Sequence, residues 1–225
     1  MTIGDSKMIP IISVNDPMFM ATMPPEVTAS SGMDTVSHAI ESFVSTESSP
    51  ITDSLAINAL KLVFVYLKRA YDNGSDLEAR EQLMYTSVMA GMAGMAFNNA
   101  GLGYVHALSH QLGGRYNLIH GDCNAVLLPY VIEFNSISIP LERIIKLCDA
   151  MCGDAHNQNE AVDIIKNKIQ SLSKTIDISI NLKDMGVEEL DLEFLSKNVA
   201  KDICVLTNPR QGTFEDIMNI FKAAM

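Results

Sequence analysis

Apolar residues recur along most of the chain at intervals of three and four, the spacing that places side chains on one face of an α-helix. The clearest run is Leu55, Ala56, Ala59, Leu60, Val63 and Leu67, opened by Ser49-Pro50-Ile51 with Asp53 and closed by Asn73-Gly74. A helix is predicted over it. An earlier helix opens at Pro24-Pro25-Glu26, with Thr22 or Met23 near its cap, and runs to about Ser45 with Gly32 as the expected bend. A third is expected from about Leu77 to Phe97. Its Met84, Val88, Met89, Met92 and Met95 are mixed with Ala90, Gly91, Ala93 and Gly94, small residues that predict burial on several sides. A fourth covers about Tyr104 to Gln111 and stops at Gly113-Gly114. A fifth runs from His120-Gly121-Asp122 to about Phe134, with a kink or restart at Pro129. Helices near Pro140–Cys152, Glu160–Lys174, Glu189–Ile203 and Thr213–Ala224 complete the pattern, and the acidic run from Glu188 to Glu193 suits a helix N-terminus. One segment differs. Ile11, Ile12 and Val14, between Pro10 and Asn15-Asp16-Pro17, read as a short strand. One strand makes no sheet, so it either pairs with another chain or is left from something longer. The expected fold is therefore all-α, a multi-helix bundle with one short N-terminal strand.

Composition narrows the partners. A chain of 225 residues that is 48% hydrophobic can bury a substantial core. Its formal net charge is −11, and its only adjacent basic pair is Lys68-Arg69. That balance argues against nucleic acid or an anionic membrane as a partner, because phosphate binding needs clustered cations. The best apolar stretch, starting at Leu60, is interrupted by Lys61 and Lys68 and falls short of a membrane span. No basic segment followed by an apolar one opens the chain, which predicts no signal peptide and a cytoplasmic protein. Cys148 and Cys152 are four apart, a helical spacing, and Cys123 and Cys204 stand alone, so free thiols are expected. His156, in the polar stretch Gly153-Asp154-Ala155-His156-Asn157, reads as a surface residue.

The other four histidines carry the chemistry. Asp34 and His38 are one helical turn apart, and His106 and His110 repeat that spacing. His120 follows at a predicted helix start. A lone helical histidine is more often a satisfied core or surface residue than a ligand. Two such pairs with a further histidine suggest a nitrogen-rich metal site with one carboxylate. Such a donor set suits Fe(II) or Zn(II) and is too nitrogen-rich for Mg or Ca.

The segment Gly32-Met33-Asp34-Thr35-Val36-Ser37-His38-Ala39-Ile40-Glu41 resembles the first metal motif of the iron-containing alcohol dehydrogenase family. His106-Ala107-Leu108-Ser109-His110-Gln111-Leu112-Gly113-Gly114, followed by His120-Gly121, resembles its second. The likeness continues through Asn124-Ala125-Val126-Leu127-Leu128-Pro129-Tyr130-Val131 and Thr207-Asn208-Pro209-Arg210, and covers essentially the whole chain in order. The resemblance implies a helical bundle like the C-terminal domain of dehydroquinate synthase. It implies that Asp34, His38, His106 and His120 are metal ligands and that His110 sits near the nicotinamide as a proton relay or orienting group. It also implies that Phe97 borders the substrate pocket and that Pro17, Met18, Phe19 and Met20 form a loop passing the cofactor. The implied reaction is hydride exchange between a small alcohol, or its aldehyde or ketone, and NAD(P).

The chain departs from that family in one respect. The Gly-rich phosphate loop of the family's dinucleotide-binding domain has no counterpart here. Gly101-Leu102-Gly103 follows a predicted helix, whereas such a loop needs strand, turn, then helix. Residues 1–22 are therefore expected to be the remnant of that domain and residues 23–225 the helical metal-binding domain. A fragment, a split gene and an internal start all fit, and each predicts poor or absent NAD(P) binding by the chain alone, which is then inactive or barely active. A homo-oligomer or a separate N-terminal domain is the expected protein partner. Two alternatives stay open: a non-catalytic metal-binding remnant or split-enzyme subunit, and a glycerol dehydrogenase-like zinc enzyme. A helical phosphohydrolase of the His-Asp type is disfavoured, because the chain has no His-Asp dipeptide.

Overall fold

The computed structural model describes residues 11–94 and 99–225. Among the described residues there are nine α-helices: α1 Pro25–Val44, α2 Pro50–Asp72, α3 Leu77–Gly94, α4 Tyr104–Tyr116, α5 His120–Asn135, α6 Leu141–Ala150, α7 Gln158–Thr175, α8 Leu192–Val199 and α9 Phe214–Ala224. The all-α expectation holds. The strand does not form: residues 11–16 have no regular structure, and Ile11, Ile12 and Val14 are exposed. A strand exists only through hydrogen bonds to a neighbour, and nothing described lies beside this segment to supply them.

Two helices organise the bundle. Helix α1 packs on α2, α3 and α5 and touches α4, while α5 packs on α1, α4, α7 and α9. From Thr28 onward α1 is buried along most of its length, which brings several polar residues inside. Its hydroxyls return to the helix's own carbonyls: Ser37 Oγ donates to Met33 O at 3.0 Å and Thr35 Oγ1 to Ser31 O at 2.9 Å. Such bonds satisfy the hydroxyls without partners from elsewhere. Gly32 lies inside α1. A Cβ there would sit 2.3 Å from Leu67 Cδ1, so the glycine lets α2 cross closely.

Several boundaries differ from the sequence expectation for identifiable reasons. Helix α4 runs through Gly113-Gly114 to Tyr116 and ends at Asn117, whose φ of 55° is left-handed. Each glycine weakens a helix by about 1 kcal/mol. Here the last turn is tied down, with Arg115 Nε donating to Asp191 Oδ2 at 3.0 Å and Tyr116 Oη to the same carboxylate at 2.5 Å. Helix α5 passes Pro129 as one element. The helix expected over Glu189–Ile203 divides into a 3-10 turn at Glu189–Asp191, α8, and a second 3-10 turn at Ile203–Thr207. Asp202 starts that last turn by accepting from the Cys204 N–H at 3.0 Å. Helix α3 is buried on one side only; Tyr85 and Met92 are exposed. Its expected end at Phe97 lies outside the described residues. Helix α2, with 23 residues, is long and apolar enough by length and composition to be a membrane span, contrary to the sequence reading. In the fold, Ala56, Ala59, Leu60, Val63 and Leu67 are buried, and α2 packs on α1 and α3.

Arg80 fixes the entry to the bundle. Its side chain is fully buried and, among the described residues, has no carboxylate partner. It donates instead to Thr28 Oγ1 at 2.6 Å, Met23 O at 3.0 Å and Gly74 O at 3.0 Å, stitching the start of α1 to the α2–α3 turn. The cysteines are free, as expected.

Candidate metal centre

Helices α1, α4 and α5 bring four of the sequence-predicted residues together. Asp34 and His38 face the same side of α1, His106 lies in the first turn of α4, and His120 is the first residue of α5. Asp34 Oδ1 is the common point. It lies 3.3 Å from His106 Nε2, 3.4 Å from His120 Nε2 and 3.3 Å from His38 Nδ1. Asp34, His38 and His106 each offer one donor atom within 4.8 Å of the others. His120 stands slightly apart, its ring centroid 5.3 Å from that of His106. His38 Nδ1 also lies 3.0 Å from the Asp34 carbonyl oxygen, and donating to it leaves Nε2 with a lone pair.

The cluster is rich in acceptors and poor in donors. Among the described residues no lysine or arginine pairs with Asp34. Burial alone would raise the Asp34 pKa, but hydrogen bonds from His106, His120 and His38 hold it well below the usual carboxylate range. Burial alone would likewise lower His106, but Asp34 and Glu41 outweigh it and raise its pKa to about 9. Asn124 reports the same imbalance. Its Nδ2 is 2.7 Å from Asp34 Oδ1, 3.2 Å from His120 Nε2 and 3.4 Å from His106 Nε2, while its buried Oδ1 has no partner. Asp34 Oδ1 and the Nε2 atoms of His106 and His120 thus converge on one amide nitrogen, an arrangement of donor atoms suited to a cation. The spacing also fits one. Atoms bound at ~2.1 Å to a shared ion in tetrahedral geometry stand roughly 3.4 Å from each other. The donors therefore fit a divalent metal in both chemistry and separation.

The cluster is reachable. The Asp34 and His120 side chains are 31% and 39% exposed, at the edge of a pocket of about 240 Å³ that Val27, Ser30 and Ile119 also line. Gly121 makes this possible by pressing the start of α5 onto α1. A Cβ at Gly121 would lie 2.0 Å from Ser30 O.

His110 takes a different direction. It stacks on His120 with centroids 5.3 Å apart, while its Nδ1 donates to Asp202 Oδ2 at 2.8 Å. Asp202 and Cys204 form a second close group with it. Burial pushes the Cys204 thiol up, so that group functions as a His110–Asp202 pair beside a protonated thiol. Pro17–Met20 forms a 3-10 turn on α3, with Met18 and Phe19 exposed and no hydrogen bond to the cluster. Phe97 lies outside the described residues. His156 is on the surface.

Glu41, Asp202 and Asn208 were not singled out from sequence. Glu41 had a legible signal: it lies three residues after His38 and seven after Asp34, on the same helix face. Asp202 is 92 residues from His110 and had none.

The model of the Fe-containing alcohol dehydrogenase family, C-terminal part, matches residues 28–225. The chain belongs to that family. It is 45% identical over 226 residues to alcohol dehydrogenase 4 of Schizosaccharomyces pombe, covering 100% of this chain and 52% of that protein. With 1,3-propanediol dehydrogenase of Citrobacter freundii it shares 41% over 218 residues, 96% of this chain and 55% of the other. The solved alcohol dehydrogenase from Oenococcus oeni superposes with a TM-score of 0.92 at 42% identity, covering 96% of this chain and 56% of that one. The chain thus spans about half the length of the relatives it matches.

Proposed function

We propose that the chain is the metal-binding helical part of an alcohol dehydrogenase and holds one divalent ion, Fe(II) or Zn(II), through Asp34, His38, His106 and His120. The observation that carries this is the convergence of His106 Nε2 and His120 Nε2 within 3.3–3.4 Å of Asp34 Oδ1, with His38 offering a donor atom within 4.8 Å of those of Asp34 and His106. The same donors accept iron or zinc, so supply decides between them. When bound, the ion supplies Lewis-acid polarisation of an alcohol or carbonyl oxygen.

The chain's own residues do the rest. One carboxylate against three imidazoles leaves net positive charge where the substrate oxygen becomes negative. Val27 and Ile119 give the mouth of the pocket an apolar wall suited to a short carbon chain. Asp202 keeps the proton on His110 Nδ1, which frees Nε2 to take or return the hydroxyl proton. Phe97 as a pocket wall rests on the family resemblance alone. The substrate class is small alcohols and their aldehydes or ketones, and the setting is the cytoplasm.

NAD(P) is the hydride partner by family membership, but among the described residues the glycine pair nearest in pattern to a phosphate loop is closed. Gly101 and Gly103 are filled from behind by Thr207, Asn208 and Glu41 rather than open to a ligand. The contribution proposed for this chain is the exposed turn Pro17–Met20, with residues 1–22 belonging to the nucleotide-binding domain and residues 23–225 forming the metal domain. On its own the purified chain is expected to form no NADH from a primary alcohol above background. Steady NADH production by it would contradict this division of labour.

Metal uptake tests the proposal directly. Chelator-stripped chain should take up about one equivalent of Zn(II) or Co(II), read by elemental analysis after gel filtration, and D34N should take up none. Affinity should also rise with pH. His106 holds a proton in the metal-free fold that the metal must expel, so binding should tighten as pH rises toward about 9 and level off above it. Conversely, the metal-free fold gains stability from protonated His106 fully below pH 6.5 and loses it as pH rises through about 9. Absence of stoichiometric uptake at pH 8 would reject the metal centre.

A further inference from the structure

Glu41 is a carboxylate only 3% exposed, and among the described residues no lysine or arginine faces it. Burying an unpaired charge is costly unless every lone pair finds a donor. Both oxygens do. Oε1 accepts from the Val105 backbone N–H at 2.6 Å, and Oε2 accepts from His106 Nδ1 at 2.5 Å. The adjacent residues Val105 and His106 thus hang from one carboxylate on another helix.

The local sequence makes room for this. Helix α4 begins at Gly103, which has no side chain to cap the free N–H groups of the first turn. The caps come from elsewhere: Asn208 Oδ1 accepts from Tyr104 N–H at 3.1 Å, and Glu41 takes the next N–H. A Cβ at residue 103 would stand 2.7 Å from Asn208 Oδ1 and 2.8 Å from Glu41 Oε1, so only glycine admits both. A negative charge at a helix N-terminus is also favoured by the helix dipole.

We propose that Glu41 is a positioning residue for the metal centre. By holding the proton on His106 Nδ1 it turns the Nε2 lone pair toward the place beside Asp34 Oδ1 where the metal would bind, while its other oxygen caps α4. The proposal rests on the metal-centre reading above. The chemistry is that of a carboxylate behind a ligating imidazole. Charge drawn from Nε2 by a cation is returned through the Nδ1–H bond, which fixes the ring and strengthens the ligand. A purely structural cap would need only the Val105 bond. The second oxygen on His106 separates the two roles.

The test compares Co(II) binding by the wild-type chain, E41Q and N208A, each read by chelator competition and by the visible Co(II) spectrum. The amide of E41Q can accept only one of the two N–H groups and turns its own N–H toward the other. Its Co(II) affinity should fall about 10- to 100-fold, with a shifted spectrum. N208A removes the neighbouring cap without touching an imidazole. It should lower the melting temperature and leave affinity and spectrum within twofold of wild type. Nitrogen-15 NMR of the Zn(II)-loaded wild type decides the point even where E41Q does not fold. His106 should be protonated on Nδ1, and an Nε2–H tautomer would overturn the proposal, as would an E41Q affinity equal to wild type. Failure of the wild type itself to bind Co(II) would remove the metal centre instead, a separate outcome.

Discussion

Replacing Gly121 by alanine is expected to abolish stoichiometric metal uptake and to destabilise the fold by about 3 kcal/mol, the upper end of ordinary overpacking, or more. The new Cβ would meet Ser30 O at 2.0 Å and Ser30 C at 2.6 Å. These are backbone atoms of a buried helix and have no rotamer by which to move aside. The first turn of α5 must withdraw by about 1 Å to reach even the tight limit of 3.0 Å. His120, the preceding residue, withdraws with it and leaves Asp34. Gly114→Ala is the control. Nothing lies within 4 Å of a Cβ at that position, which is inside a helix, so G114A should match or exceed wild-type stability by up to about 1 kcal/mol. Urea denaturation and metal analysis of both variants check the pair. A G121A chain that melts like wild type and carries a full equivalent of zinc would show that α5 does not depend on this contact.

Asp34→Asn is expected to act chiefly on the metal, with a smaller cost to the fold from its lost interactions with the histidines. Asp34 Oδ1 is the atom on which His106 Nε2 and His120 Nε2 converge, so its charge should be worth more than the 10- to 100-fold typical of a supporting residue. Packing of α1 is carried by Met33, Val36, Ala39 and Ile40, all fully buried. The metal-free variant should therefore still fold, melting below metal-free wild type by what the Asp34 hydrogen bonds with His106, His120 and His38 contribute. The difference appears on adding zinc. At a thousandfold excess over Kd, wild type gains about 4 kcal/mol, on the order of 10 °C for a chain of this size. D34N should show almost none of that rise. A full zinc-induced shift in D34N, followed by calorimetry, would move the metal away from Asp34 altogether.

The sequence made the helices legible where burial is local and periodic. Helix α2 is the plainest example, its apolar positions recurring every three or four residues with a Ser-Pro start and an Asn-Gly end. Legibility failed where a distant residue decides the outcome. Gly113-Gly114 reads as a stop, yet Asp191 holds the helix end beyond it. Ile11–Val14 has strand residues, but a strand depends on a neighbour that local pattern cannot reveal. The site divides in the same way. Asp34 with His38, and His106 with His110, stand at helical spacing and were readable as candidate pairs. That His106 joins Asp34 while His110 turns to Asp202 is set by how α4 lies across α1, which no spacing encodes. Gly121 was part of a recognised motif, but its purpose appears only once Ser30 is beside it.

The cap on α4 has a consequence for the order in which the protein is made. Asn208, which holds the Tyr104 N–H, lies 104 residues downstream and is itself gripped by Asn135 through paired amide bonds at 2.8 and 3.0 Å. A chain emerging from the ribosome carries His106 into the cell long before Asn208 leaves the exit tunnel. During that interval the Tyr104 N–H goes without its Asn208 cap while Glu41, made earlier still, already holds the Val105 N–H, so the start of α4 reaches its full rigidity only in the nearly finished polypeptide.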